Sequence, residues 1–227
     1  MRKSIYGCIL SALLLVSGFY SETIIAQSRF QAGPYFGTGI RLLSGNDKAD
    51  IGFGYRFGVI TRVPITKQFS VTPTFTYARK GYNKLEFLIL EDEEFYRQRL
   101  SYLDIFLPLK FQVGEVFTFQ VGMQAGFLLD AEFSYKTYGD DRQKVNIKND
   151  LHSLDLGFIA GAGFQFMNGV GLEFIINPGL NNIYDKTPPL YYDSDMNDFF
   201  GEEFNGKNLM ATINLYYLFG YKAKTAD

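Results

Sequence analysis

The chain has 227 residues, with 22 basic and 24 acidic side chains and a formal net charge of −2. That balance gives no electrostatic case for a nucleic-acid partner. The mean hydropathy of −0.05 and the absence of any run of about 20 apolar residues after position 26 exclude a transmembrane helix in that part.

Arg2 and Lys3 precede an apolar run from Ile5 to about Tyr20, and small Ala26 lies before the expected cut. This pattern predicts a secretory signal peptide over 1–26 and a single domain over 27–227. Cys8, the sole cysteine, lies inside the leader. The mature chain is therefore expected to lack disulfides, a thiol nucleophile, a lipidation site and any Cys/His zinc spacing. No cofactor motif follows; in particular, no Gly-rich loop leads from a strand into a helix.

Eight strand-like stretches succeed one another. The first, 29–41, is Gly-rich and carries Pro34. The second, 51–63, sets Ile51, Phe53, Tyr55, Phe57 and Val59 against Gly52, Gly54, Arg56, Gly58 and Arg62. After Pro64-Ile65-Thr66-Lys67 the third sets Phe69, Val71, Phe75 and Tyr77 against Ser70, Thr72, Thr74, Thr76 and Ala78. A period of two means side chains that alternate between faces. The fourth, 99–112, opposes Leu103, Ile105, Leu107 and Leu109 to Asp104, Phe106, Pro108 and Lys110. The fifth, 116–130, opposes Phe117, Phe119, Val121 and Met123 to Thr118, Gln120, Gly122 and Gln124. The sixth, 152–166, and the seventh, 170–184, flank the hairpin signal Asn168-Gly169, with Asp155, Gln165, Glu173 and Asn177 on their polar faces. The eighth is 208–220.

Connections alternate in length. Those after strands two, four and six are a few residues; those at 42–50, 82–98, 131–150 and 185–207 are long. Short and long in turn is the asymmetry of an outer-membrane barrel, with periplasmic turns and extracellular loops. The chain thus reads as all-β: an eight-stranded antiparallel up-and-down transmembrane β-barrel in the outer membrane of a Gram-negative bacterium, both termini periplasmic. Its aromatic face is expected to meet outer-membrane lipid. Its lumen is expected to hold Arg56, Arg62, Asp104, Lys110, Asp155 and Glu173, with Arg62, Lys110 and Glu173 near the turn end and the others higher. Ions of opposite sign at similar depths predict a structural plug; a proton or ion path is the alternative.

GFGYRFGVITRVPITKQFSVTPTFTYARKGYNKL, SYLDIFLPLKFQ and LDLGFIAGAGFQFMNGVGLEFIINPGLNNIY resemble the recurrent hairpins of the PorT-type outer membrane protein beta-barrel family. Asp104 stands where that family usually has Glu, Phe106 stands where it has Pro, and Lys110 is in the matching place. The last strand departs too, since Phe219 is followed by further residues. The resemblance implies a monomeric barrel inserted by the barrel-assembly machinery, and it brings an accessory role in type IX protein secretion into view.

Three further features remain. Loop 185–207 places acids among aromatics, a candidate protein-binding surface. Within it, Asp193, Asp195 and Asn197 have the alternate oxygen spacing of a calcium loop, but Asp198 replaces the required Gly and Phe204 the closing Glu, so a solvated acidic loop is the plainer reading. Sole His152, beside Asp150, Ser153 and Asp155, is the candidate general base of a rim enzyme, set against an ordinary rim histidine. A passive small-solute pore would need about twelve strands or more. The leading expectation is a non-enzymatic barrel working through its loops.

Overall fold

The computed structural model describes residues 30–44, 51–85, 95–136, 143–185 and 206–221. The expected leader 1–26, most of loop 185–207 and its Asp193, Asp195 and Asn197 lie outside the described residues.

Among the described residues, ten strands form one antiparallel sheet: β1 (Gln31–Ser44), β2 (Gly52–Pro64), β3 (Phe69–Val71), β4 (Thr74–Leu85), β5 (Phe95–Val113), β6 (Phe117–Lys136), β7 (Gln143–Asn146), β8 (Leu154–Gln165), β9 (Val170–Pro178) and β10 (Lys207–Tyr217). β3 and β4 are one stave. Pro73, which lacks an N–H, interrupts it, yet Thr61 still donates to the Pro73 carbonyl at 2.8 Å. β7 is a short appendage on β6. The remaining pairings run from each stave to the next, and β1–β10 closes the ring. The result is an eight-stave up-and-down barrel, as the periodicity predicts.

The short turns fall where expected. Gly114 (φ 61°) and Gly169 (φ 92°) occupy the left-handed region that a tight reversal requires, and Asn168 Oδ1 accepts from the Val170 N–H at 3.1 Å.

Strand lengths differ from expectation at the other end. β5 and β6 run on to Phe95 and Lys136, into segments read as loop. The β2–β4 ladder stops at Tyr55–Arg79, while β4–β5 continues to Leu85–Phe95, so a ledge projects by roughly 20 Å at about 3.3 Å per residue. The seventh strand is shorter than expected. β9 ends at Pro178, and Asn181 and Asn182 take over the backbone bonding of Leu156, Tyr184 and Gly206.

The exterior is apolar. Phe53, Phe57, Phe119, Val121, Met123 and Leu215 are each more than half exposed, whereas Arg56, Asp104 and Asn214 are fully enclosed. This inside-out arrangement is stable in lipid, where strands must satisfy every backbone group within a closed sheet. Exterior rings also pair across strands, as Phe57 with Tyr77 at 5.3 Å and Phe117 with Phe164 at 5.0 Å.

The arrangement reverses on the ledge. A register shift between Ser101 and Tyr102 leaves Leu129 and Asp130 both exposed. Beyond it Leu100, Ala131, Phe133 and Ile147 turn inward, and charged Arg97, Arg99 and Glu132 turn outward. Apolar-in and charged-out is the packing of a domain in water. The bulge therefore marks where the lipid-facing wall ends.

Candidate functional site

The interior is stacked in layers, because alternate residues of all eight staves converge on a space too narrow for bulk water. At the turn end, Tyr35, Ile60, Tyr216, Leu218 and Tyr221 form an apolar floor. Arg62 lies over the Tyr221 ring at 5.2 Å and donates to Gln31 Oε1 at 3.2 Å. It thus meets neutral partners.

Above the floor, Lys110 Nζ lies 2.9 Å from Glu173 Oε2 and donates to the Tyr216 hydroxyl at 3.2 Å. Tyr35 donates to Glu173 Oε1 at 3.1 Å, and Tyr216 to Gln165 Oε1 at 2.7 Å. An apolar girdle of Phe106, Ile159 and Ile175 follows. Arg56 sits against it, its guanidinium carbon 4.8 Å from the Phe106 ring centre and Nη2 3.0 Å from Met210 Sδ.

The upper polar layer centres on Lys80, whose ammonium bridges Asp104 at 3.0 Å and Asp155 at 2.8 Å. Gln124 donates to Asp104, Asn177 to Gln124, and Asn208 to Asp155, at 3.0, 2.8 and 3.0 Å. Over this layer lies the apolar cap of the ledge, including Leu43, Tyr102, Leu128, Leu151 and Ile183.

Arg56, Asp104, Lys110, Asp155 and Glu173 are thus all in the interior, and Lys110 meets Glu173 at the depth assigned to both. The upper acids are different. Their cation is Lys80, which the sequence reading overlooked because it followed the third strand only to Ala78. The period of two, carried one step further, puts Lys80 on the same face as Thr76 and Ala78 and would have found it. Alternation along the eighth strand puts Tyr216 on the same face as Thr212 and Asn214, but nothing in the sequence singled out its hydroxyl or that of Tyr35 as closing the lower network.

His152 is not joined to Asp155. Strand alternation sends Asp155 inward to Lys80, while His152 stays about half exposed, with Nδ1 3.7 Å from equally exposed Asp185. It lines an open depression with Ser153, Leu154, Asn181 and Asn182. Among the described residues, no group of three or more His, Cys, Asp or Glu is placed to hold a metal ion.

A closed antiparallel barrel with a lipid-compatible wall, an enclosed ionic interior and water-compatible packing at one rim defines an integral outer-membrane β-barrel protein. Residues 25–185 match the model of the outer membrane protein beta-barrel domain, and the chain belongs to that family. No curated protein sequence matches it. Among solved structures, it is similar to Ail, the attachment invasion locus protein of Yersinia pestis, in complex with the heparin analogue sucrose octasulfate. There the identity is 12%, with 84% of this chain and 99% of that chain covered and a TM-score of 0.47. It is also similar to Neisserial surface protein A, at 10% identity, with 83% and 96% covered and a TM-score of 0.44.

Proposed function

We propose that this barrel is a sealed, non-enzymatic outer-membrane anchor that works through its long-loop end, including loop 185–207. The observation that carries the reading is the layered interior. The Phe106–Ile159–Ile175 girdle stands between the two ionic layers, and apolar groups close both ends. A stack packed in this way leaves no room for an aqueous channel in a barrel of eight staves, which argues for a structural role of Arg56, Arg62, Asp104, Lys110, Asp155 and Glu173. The ledge of β4–β7 then gives the loop end its own apolar core, a rigid base on which connections can be held for a partner.

On this reading the short turns and both termini face the periplasm, a leader over 1–26 is removed, the barrel-assembly machinery inserts the rest, and the barrel is a monomer. The PorT-type resemblance of its hairpins favours an accessory role in protein secretion over passive adhesion.

Two experiments test this. In planar bilayers the protein is expected to give no conductance steps; stable steps would establish a pore. The second uses a segment 188–205 deletion, checked for heat-modifiable gel migration. It is expected to abolish co-purification of the partner captured by the intact protein from its own outer membrane. His152→Ala is expected to leave that capture unchanged, and loss of a lipid or peptide turnover in that variant would instead establish the rim enzyme.

A further inference from the structure

Among the described residues, the cations fully enclosed by the barrel are Arg41, Arg56, Lys80 and Lys110, and the carboxylates are Asp104, Asp155 and Glu173, so four positive charges meet three negative ones. Glu173 is taken by Lys110, while Asp104 and Asp155 are both taken by Lys80. Arg56 is left with a thioether, Met210 Sδ at 3.0 Å, and with the face of the Phe106 ring. Asp104 acts on it only from beyond contact. Although no part of Arg56 reaches the surface, its Nε and Nη1 have no hydrogen-bond partner.

The flanks of Arg56 carry more polar atoms in the same condition. Its ladder partners are Gly37 on β1 and Ala78 on β4, too small to cover its stem. Beyond Gly37 stands Asn214 of β10. A Cβ on Gly37 would collide with Asn214 Oδ1 and lie 2.9 Å from Arg56 Cγ, so the amide and the arginine stem meet over this glycine. One inward step along β10 and β4 are Thr212 and Thr76, both enclosed. Asn214 Oδ1 and the two threonine hydroxyls likewise lack a hydrogen-bond partner. The Asn214 amide nitrogen makes only long contacts, at 3.4 Å to the Glu173 carbonyl and 3.3 Å to that of Thr212. Turning the amide over, to point a donor at Arg56, therefore costs little.

Charge and size together select the ligand. An enclosed charge must be paired or hydrogen-bonded, and arginine cannot escape by losing its proton. Water would accept from the free N–H groups but leave the surplus charge in place, whereas an anion answers both needs. A barrel of eight staves has room for side chains and small species only, which rules against phosphate or a carboxylic acid. We propose that Arg56, with Thr76, Thr212 and the Asn214 amide, forms a binding site for a small monovalent anion, a halide such as chloride, that acts as the missing counter-charge of the interior. The site rests on the enclosure of Arg56, not on what the loops do or on which end faces outward.

Two measurements on the full barrel test this. In crystals grown with sodium bromide, an anomalous bromine peak is expected in contact with Arg56 Nε or Nη1. A peak there without anomalous signal, or bromide confined to the outer surface, assigns those groups to water and overturns the proposal. In the second, the vesicle-inserted barrel is titrated with urea while chloride replaces gluconate on both sides of the membrane at constant ionic strength, so that screening is unchanged. For one site filled only in the folded state, each tenfold rise in chloride above half-saturation is expected to raise the folded-to-unfolded ratio about tenfold. A wild type indifferent to chloride overturns the proposal. Arg56→Met is expected to lose both the bromide peak and the chloride dependence; a peak that persists in it marks an adventitious ion only, with the same consequence. Should that variant not fold, Thr212→Val keeps the shape of the side chain and removes one hydroxyl. It is expected to raise the chloride concentration at half-saturation roughly tenfold, the loss of one hydrogen bond to a charged group, and an unchanged value overturns the site.

Discussion

Replacing Lys80 by methionine keeps the length of the side chain and removes only the ammonium that bridges Asp104 at 3.0 Å and Asp155 at 2.8 Å. All three groups are at most 2% exposed. In the variant, Asp104 retains the Gln124 amide and Asp155 the Asn208 amide, but Asp104 Oδ2 and Asp155 Oδ1 have no hydrogen-bond partner to begin with. Two adjacent carboxylates would then be enclosed without the ammonium that contacts them, and only the more distant Arg56 charge would still act on Asp104. Removing one member of a buried ion pair costs about 3–5 kcal/mol, so a loss of about 4 kcal/mol, or roughly a thousandfold in the folded-to-unfolded ratio, is expected. The triple variant K80M/D104N/D155N removes all three charges of the triad at nearly constant volume and is expected to return to within about 1 kcal/mol of the wild type. Urea titration of the vesicle-inserted barrel, scored by the fast-migrating folded band on unheated gels, measures both. A single variant within about 1 kcal/mol of the wild type, or a triple variant no better than the single, would refute the claim that Lys80 neutralises this layer.

Met123 lies midway along the apolar wall between Leu107 and Phe158, and Met123→Arg is expected to cost about 2–4 kcal/mol in the same titration because the guanidinium must sit in hydrocarbon. Gly126 faces the upper layer, where an added Cβ would lie 2.5 Å from Asp104 Oδ1 and 2.8 Å from Gln124 Nε2. Gly126→Leu is expected to break that hydrogen bond and to destabilise by about 1–3 kcal/mol, whereas wild-type stability would show that the layer has slack. On the ledge, burial tends to raise the Glu132 carboxyl, but hydrogen bonds from Ser134 and Lys144 and the nearby Lys144 and Arg99 charges outweigh it and hold the group below its ordinary 4.5. Its contribution is therefore complete above 4.5 and is lost as pH falls through the depressed value. Hydrogen exchange of the β6–β7 ladder is expected to accelerate over that acidic range in the wild type and to be flat in Glu132→Gln; identical profiles would remove Glu132 from the account.

Alternation by itself determined most of the architecture of this protein. Runs such as Phe117, Phe119, Val121 and Met123 against Thr118, Gln120, Gly122 and Gln124 assign every side chain to one of two faces, because a strand has no third direction in which to point it. Turn residues such as Gly114 and Asn168-Gly169 then locate the reversals. Which ions meet was decided only by closure of the sheet. Lys80 and Asp155 are 75 residues apart, and the stagger of the staves around the ring, which no single strand encodes, sets their common depth. The same holds for the reversal at Ser101 and Tyr102, where one additional residue on β6 changes the phase of the strand. Up to that bulge the surroundings are hydrocarbon and beyond it they are water, so the same two-residue period serves opposite solvents.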